Sequence, residues 1–305
     1  LSGIVTTVLH VTALTGLKIT VTAGFLSVPV LGYFIAKTFD DAPPDSPKFV
    51  AMVLGLLSSE LWGLEFFFRN GMLNPALGVP FLLATLYFFR RTQTSPFPQA
   101  LRHIAFGGFF FACTACTHLL STYMLSIALG AFVLGRRLKD WGHDVLRLGG
   151  LLCVGGALAG FWLVPSAAFA AKEDAAYTWL RRPTDLVASF LDGSLLSSCF
   201  YGFFPSFVNI SNVGIVTVAM GLLGILIGVI ARRHIAPRVA LFVFVLGFWI
   251  MVGPTWSFLI KWLPGYERLL WYRFVTLAQL GWFMLAGFGA AYVADLDKRF
   301  APYNR

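Results

Sequence analysis

Long apolar runs, broken by short clusters of charged and turn-forming residues, recur along the chain from about residue 17 to about residue 295. Coiled as an α-helix, about twenty apolar residues match the ~30 Å hydrocarbon core of a bilayer. The pattern predicts nine such spans, at roughly 17–37, 49–68, 76–89, 103–117, 119–135, 148–171, 212–231, 239–260 and 275–295. The fourth and fifth share one continuous apolar stretch, which is either a tight hairpin or a single long tilted helix.

Composition narrows the class. The chain has 305 residues, 58% hydrophobic and 12% charged, with a mean hydropathy of +0.77. Soluble domains carry about a quarter charged residues, so this balance cannot solvate a globular surface. The expected fold is an all-α polytopic membrane bundle forming a single transmembrane domain over residues 1–305, with no separate soluble domain. The 31 Phe and 9 Trp suit lipid-facing surfaces and interfacial belts. Four cysteines are too few and too scattered for a disulfide framework. Residue 1 is Leu, and the first stretch lacks the basic, apolar and small-residue regions of a signal peptide. The chain is therefore expected to begin partway through a longer protein.

The net charge of +9 matters through its placement and implies no nucleic-acid partner. If 103–135 is a hairpin, the loops at 38–48, 90–102, 136–147 and 232–238 and the tail from Lys298 fall on one side. With Lys37 at the edge of the first of them, that side then holds 15 of the 23 lysines and arginines. A single span at 103–135 would split this distribution. The positive-inside tendency favours the hairpin and makes the basic side, with the C-terminus, cytoplasmic. The cytoplasmic loops read as short and plain.

The opposite side receives the short loop near 69–75, the hairpin tip at His118, the segment 172–211 and the stretch KWLPGYERLLWYRF at 261–274. Forty residues is long for a passive connection. Within the 172–211 segment, YTWLRRPTDLVASFLDG predicts an amphipathic helix lying along the membrane surface, with Leu180, Leu186, Val187, Phe190 and Leu191 on its apolar face. Ionisable residues inside spans are costly and therefore informative. Glu60 and Glu65 lie in the outer half of the second span, about 140° apart around a helix. Glu65 is spaced to pair with Arg69, whereas Glu60 has no local basic partner. At a helix break, the structural role for His118 is a hydrogen bond to a freed backbone carbonyl. Cys113 and Cys116 precede it, but Thr117 intervenes where a haem-attachment motif needs His, and no fourth zinc ligand is near. Gly156 and Gly160 form a GxxxG pair that permits close helix approach. The arginines Arg181, Arg182, Arg268 and Arg273 suit a phosphate clamp, because guanidinium matches phosphate oxygens bidentately. Their structural role would be to anchor helix ends among headgroups. The costly polar groups all gather on the outer half, where fewest cations are expected. No nucleotide-phosphate loop, metalloprotease helix, serine elbow or Rossmann fingerprint appears, and the spans lack the buried acids of an ion-driven transporter.

The run LPGYERLLWYRF, the span exit FWLVPSAAFAA, the hairpin string CTHLLSTY and the element VPVLGYFIAKTF together resemble bacterial membrane proteins of the GT-C glycosyltransferase superfamily. The nearest group is the 6-pyruvoyl-tetrahydropterin-synthase-related membrane proteins. The resemblance implies an enzyme of the bacterial inner membrane that transfers a sugar from a polyprenyl-phosphate donor on the outer face, without a Rossmann domain. It implies an Asp or Glu in the first outer loop as general base or metal ligand, which leaves a divalent cation open as cofactor. No acidic residue precedes Asp40, so that acid lies upstream of Leu1 or is absent. Under this reading Arg268 and Arg273 hold the lipid phosphate, with Arg181 and Arg182 as second candidates. Glu60, Glu65 and Glu267 orient hydroxyls, His118 lines the same outer face, and Tyr266 or Trp179 stacks on sugar or polyprenyl. The alternatives are a non-catalytic scaffold that assembles membrane-protein partners and, third, a transporter of a lipid-linked substrate.

Overall fold

Every regular element among the described residues is helical. The computed structural model describes residues 7–60, 73–170, 213–230, 234–251 and 274–300. Within them nine α-helices follow in order: α1 (Ala13–Lys37), α2 (Ser46–Glu60), α3 (Leu73–Thr94), α4 (Phe97–Thr117), α5 (Leu119–Leu134), α6 (Trp141–Ala170), α7 (Val213–Ile230), α8 (Ile235–Met251) and α9 (Val275–Phe300). A single 3-10 turn at Leu138–Asp140 leads into α6.

By length and composition, four stretches among the described residues suffice to cross a membrane: Thr15–Lys37, Phe97–Thr117, Leu138–Pro165 and Thr276–Leu296. A fifth arises if Ala219–Ile230 and Ile235–Ile250, bent by 112°, count together. The expected count of nine goes beyond this. The sixteen residues of α5 reach only about 24 Å at 1.5 Å per residue, and α3 ends in the polar run RRTQT. The predicted interfacial helix around 180–191 lies outside the described residues.

Several helices run further into polar sequence than their apolar runs predict. α3 continues to Thr94 rather than stopping near 89, α4 starts at Phe97 rather than 103, and α6 starts at Trp141 rather than 148. The expected loop at 90–102 thus shrinks to Ser95 and Pro96. Helix ends leave backbone groups without intrahelical partners, and polar side chains concentrate there because they serve those groups. The N-cap Thr12 accepts a hydrogen bond from the Thr15 amide at 3.3 Å, and Asp144 lies in the first turn of α6, at the positive end of the helix dipole.

The chain forms two compact units, one from Leu1–Leu125 and Gly142–Ala159, the other from Ser126–Trp141 and Gly160–Arg305. In the first, α1 packs on α2 and α3, and α3 packs on α4. Gly32 of α1 leaves room for the Leu54 side chain of α2, and Gly55 of α2 faces Pro29 of α1. Between α3 and α4 runs an aromatic column. Phe81 and Phe88 both stack on Phe110, at ring-centroid distances of 6.3 and 5.6 Å, and Phe88 also stacks on Phe106 at 5.4 Å. α4 meets α6 through Gly107 and Gly108, where an added Cβ would fall 2.6 Å from Leu151 and 2.6 Å from Val154.

In the second unit α7 and α8 both pack on α9, whose membrane-length window is 78% buried. The crossings run through glycine against bare backbone. A Cβ on Gly224 would strike the Leu285 carbonyl, one on Gly289 the Met220 carbonyl, and one on Gly281 the Phe244 amide. Close backbone approach is how membrane helices gain van der Waals contact where no hydrophobic drive separates them from lipid.

The Gly156/Gly160 pair is not among these crossings. Around both positions no atom of the described residues, the helix's own backbone aside, lies within 4 Å of an added Cβ, whereas Gly155, one residue earlier than Gly156, meets Phe111 at 2.6 Å. Sequence spacing identified two residues on one face; the face that meets α4 is the adjacent one. Of the two cysteines before His118, Cys113 is half-buried and Cys116 exposed.

Candidate functional site

Of the residues singled out by sequence, His118 is the one whose side chain the structure describes. Glu60 closes α2; its side chain, together with Glu65, Arg181, Arg182, Tyr266, Glu267, Arg268 and Arg273, lies outside the described residues.

His118 is the whole connection between α4 and α5. Its backbone is extended, with φ −161° and ψ 113°. Its N–H donates to the Thr114 carbonyl at 2.9 Å, and its carbonyl accepts from the Thr122 N–H at 3.2 Å. One residue therefore ends one helix and begins the next. The ring completes the joint, because the Ser121 backbone N–H donates to Nδ1 at 3.3 Å and Ser121 Oγ lies 3.0 Å from the same nitrogen. The imidazole thus caps the N-terminus of α5 as a Ser or Asn side chain would. At Nδ1 the ring serves a freed amide. Only an unprotonated Nδ1 can accept, so the proton sits on Nε2.

Gly78 makes this arrangement possible from α3. A Cβ there would lie 2.6 Å from Ser121 Oγ and 3.7 Å from His118 Cβ. His118→Ala is expected to lower stability by about 1 kcal/mol through loss of the cap, and His118→Asn to recover most of it. Thermal unfolding of the purified protein reads both.

A second polar centre lies in the same unit, at the end that carries the basic loops. Arg90 is 3% exposed, Gln93 6% and Asp144 1%. The Arg90 guanidinium sits 4.6 Å over the Phe39 ring and donates to the Thr38 carbonyl at 3.4 Å, placing a cation at the C-terminus of α1, where the helix dipole favours it. Its other terminal nitrogen donates to Gln93 Oε1 at 3.3 Å. The Gln93 amide nitrogen then donates to Asp144 Oδ2 at 3.1 Å. Asp144 faces Arg147 at 3.9 Å, and Arg147 reaches the Ser95 carbonyl at 3.5 Å. The relay ties the ends of α1 and α3 to the start of α6.

This centre corrects the expectation that the basic-side loops are plain and that the costly polar groups gather on the opposite half. Counted only by sign, Arg90 and Arg147 read as loop cations. The missed signal was a buried-type mixture, Arg-x-x-Gln on one helix end and Asp-x-x-Arg on another, with about fifty residues between them. Chemically the relay is a fastening: guanidinium, amide and carboxylate each hold a neighbour.

Comparison with protein-family models, with curated proteins and with solved structures finds no match to this chain.

Proposed function

We propose that the chain is the membrane core of a GT-C-type glycosyltransferase. In this reading it has nine spans in the inner membrane of a bacterium, with a cytoplasmic C-terminus. It transfers a sugar from a polyprenyl-phosphate donor on the face opposite the basic loops. The observation that carries the reading is the one-residue joint at His118. The string CTHLLSTY was singled out as a hairpin histidine, and His118 interrupts the continuous apolar run 103–135 between two helices. Support comes also from helices of membrane-spanning length and composition and from the arginine-rich stretch at 261–274. Arg268 and Arg273 grip the lipid phosphate and stabilise its charge as it leaves. Arg181, Arg182, Tyr266, Glu267, Glu65 and Glu60 line the same face.

The test is sugar release from a polyprenyl-phosphate-linked donor by the purified protein in vesicles. Wild type is expected to turn over, and Arg268→Ala with Arg273→Ala to lower kcat at least a hundredfold. If wild type transfers no sugar and the same substitutions disturb assembly with membrane partners while leaving lipid-phosphate binding intact, the scaffold reading replaces this one.

A further inference from the structure

The α3–α4 corner places cationic groups at the rim of an apolar surface. On α4, Arg102, Ala105, Phe106 and Phe109 are all exposed. Their spacing of i, i+3, i+4 and i+7 puts them on one helix face. That face belongs to a helix long and apolar enough to cross a membrane, and Arg102 stands in its second turn. A side chain there reaches the level of the phospholipid phosphates while the phenylalanines below it meet acyl chains. Phe97 is 71% exposed and Leu101 50%, so the corner also offers apolar groups to the interface.

Arg91 joins this rim from the last turn of α3 and is exposed as well. Phe88 of α3 lies against His103 and Phe106 of α4, at ring-centroid distances of 6.1 and 5.4 Å, so Arg91, one turn on from Phe88, and Arg102, next to His103, stand at similar heights across the hairpin. Neither forms an ion pair among the described residues, whereas Arg147, which touches the same turn at Ser95, is matched by Asp144. The first turn of α4 carries no acidic residue, so the positive end of its dipole adds to the two guanidinium charges instead of being neutralised.

We propose that the α3–α4 corner is a binding surface for the headgroup of an anionic phospholipid in the leaflet at the basic end of the helices. Arg91 and Arg102 take the phosphate; Phe106 and Phe109 line the acyl chains beneath it. The surface is separate from the proposed sugar-transfer face: sixteen residues of helix, about 24 Å, part Arg102 from His118.

The test uses the purified protein in neutral detergent, offered phosphatidylglycerol and phosphatidylcholine in equal amounts, with retained lipid measured by native mass spectrometry. Each cation near a membrane surface is worth about fivefold in affinity for anionic lipid. Wild type is therefore expected to prefer phosphatidylglycerol by about 25-fold, and Arg91→Gln with Arg102→Gln to abolish the preference. Arg137→Gln with Lys139→Gln, exposed on the turn before α6, is expected to leave it unchanged. Equal retention of both lipids by wild type, or an undiminished preference in the Arg91/Arg102 variant, overturns the proposal. So does release of phosphatidylglycerol by millimolar inorganic phosphate, which would mark a site for free phosphate.

Discussion

Asp144→Ala is expected to lower the stability of the protein by about 3 kcal/mol, the lower end of the cost of breaking a buried charged pair. The lower end applies because Arg147 keeps 23% of its side chain exposed and can turn to water. Gln93 cannot do the same. Its amide nitrogen donates to Asp144 Oδ2 from a position only 6% exposed, and a hydrogen bond to a charged group is worth about 1.5–3 kcal/mol. The loss reads as a lower thermal midpoint in detergent. A second variant separates a broken network from a dispensable one. Replacing Arg90 and Arg147 by Met together with Gln93 and Asp144 by Leu removes the four polar side chains of the relay at once. Stability is then expected to return to near the wild-type value, because apolar groups of similar shape substitute well for buried ion pairs. An Asp144→Ala protein as stable as wild type would show that the relay fastens nothing.

The other large effect is expected at the α8–α9 crossing. Gly281→Ala sets a methyl against the Phe244 amide nitrogen, with Phe244 Cα at 2.6 Å and the Ala240 carbonyl at 2.9 Å. Overfilling a packed site costs about 1–3 kcal/mol when side chains can adjust. Here the obstacles are backbone atoms of a helix, so the two helices must separate and the upper end is expected. Gly156→Ala makes the opposite prediction from the same chemistry. Among the described residues no atom outside its own helix backbone lies within 4 Å of its added Cβ, and Ala is favoured over Gly in a helix by about 1 kcal/mol. It is expected to leave stability unchanged or raise it. Equal losses for the two variants would overturn the assignment of which glycines lie at crossings.

These cases mark what the sequence makes legible. Apolar runs located the nine α-helices of the described residues, since burial and lipid exposure both demand the same side chains. They failed at helix ends, where α3 and α6 extend through Arg90, Gln93, Asp144 and Arg147. Those residues read as loop because polarity alone does not distinguish water from another polar side chain as the partner. Likewise GxxxG spacing specifies a helix face but not its neighbour, which is why Gly156 and Gly160 were chosen over Gly108 and Gly155. The break at His118 was expected from the placement of charge, the apolar run across it being continuous. That its ring accepts an amide was not, because either helix could claim it. The arginines of 181–182 and 268–273 rest on sequence chemistry alone.

The joint at His118 also fixes angular phase. With no slack residue between α4 and α5, the rotation of α5 about its own axis is set by one pair of backbone dihedrals. One residue inserted at 118 or 119 would turn all of α5 by about 100°. The buried positions Leu125, Ala128, Leu129 and Phe132 would then be taken by residues of a different face. Length at this point of the chain is thus as constrained as residue identity, and a single-codon insertion would be as disruptive as a core substitution.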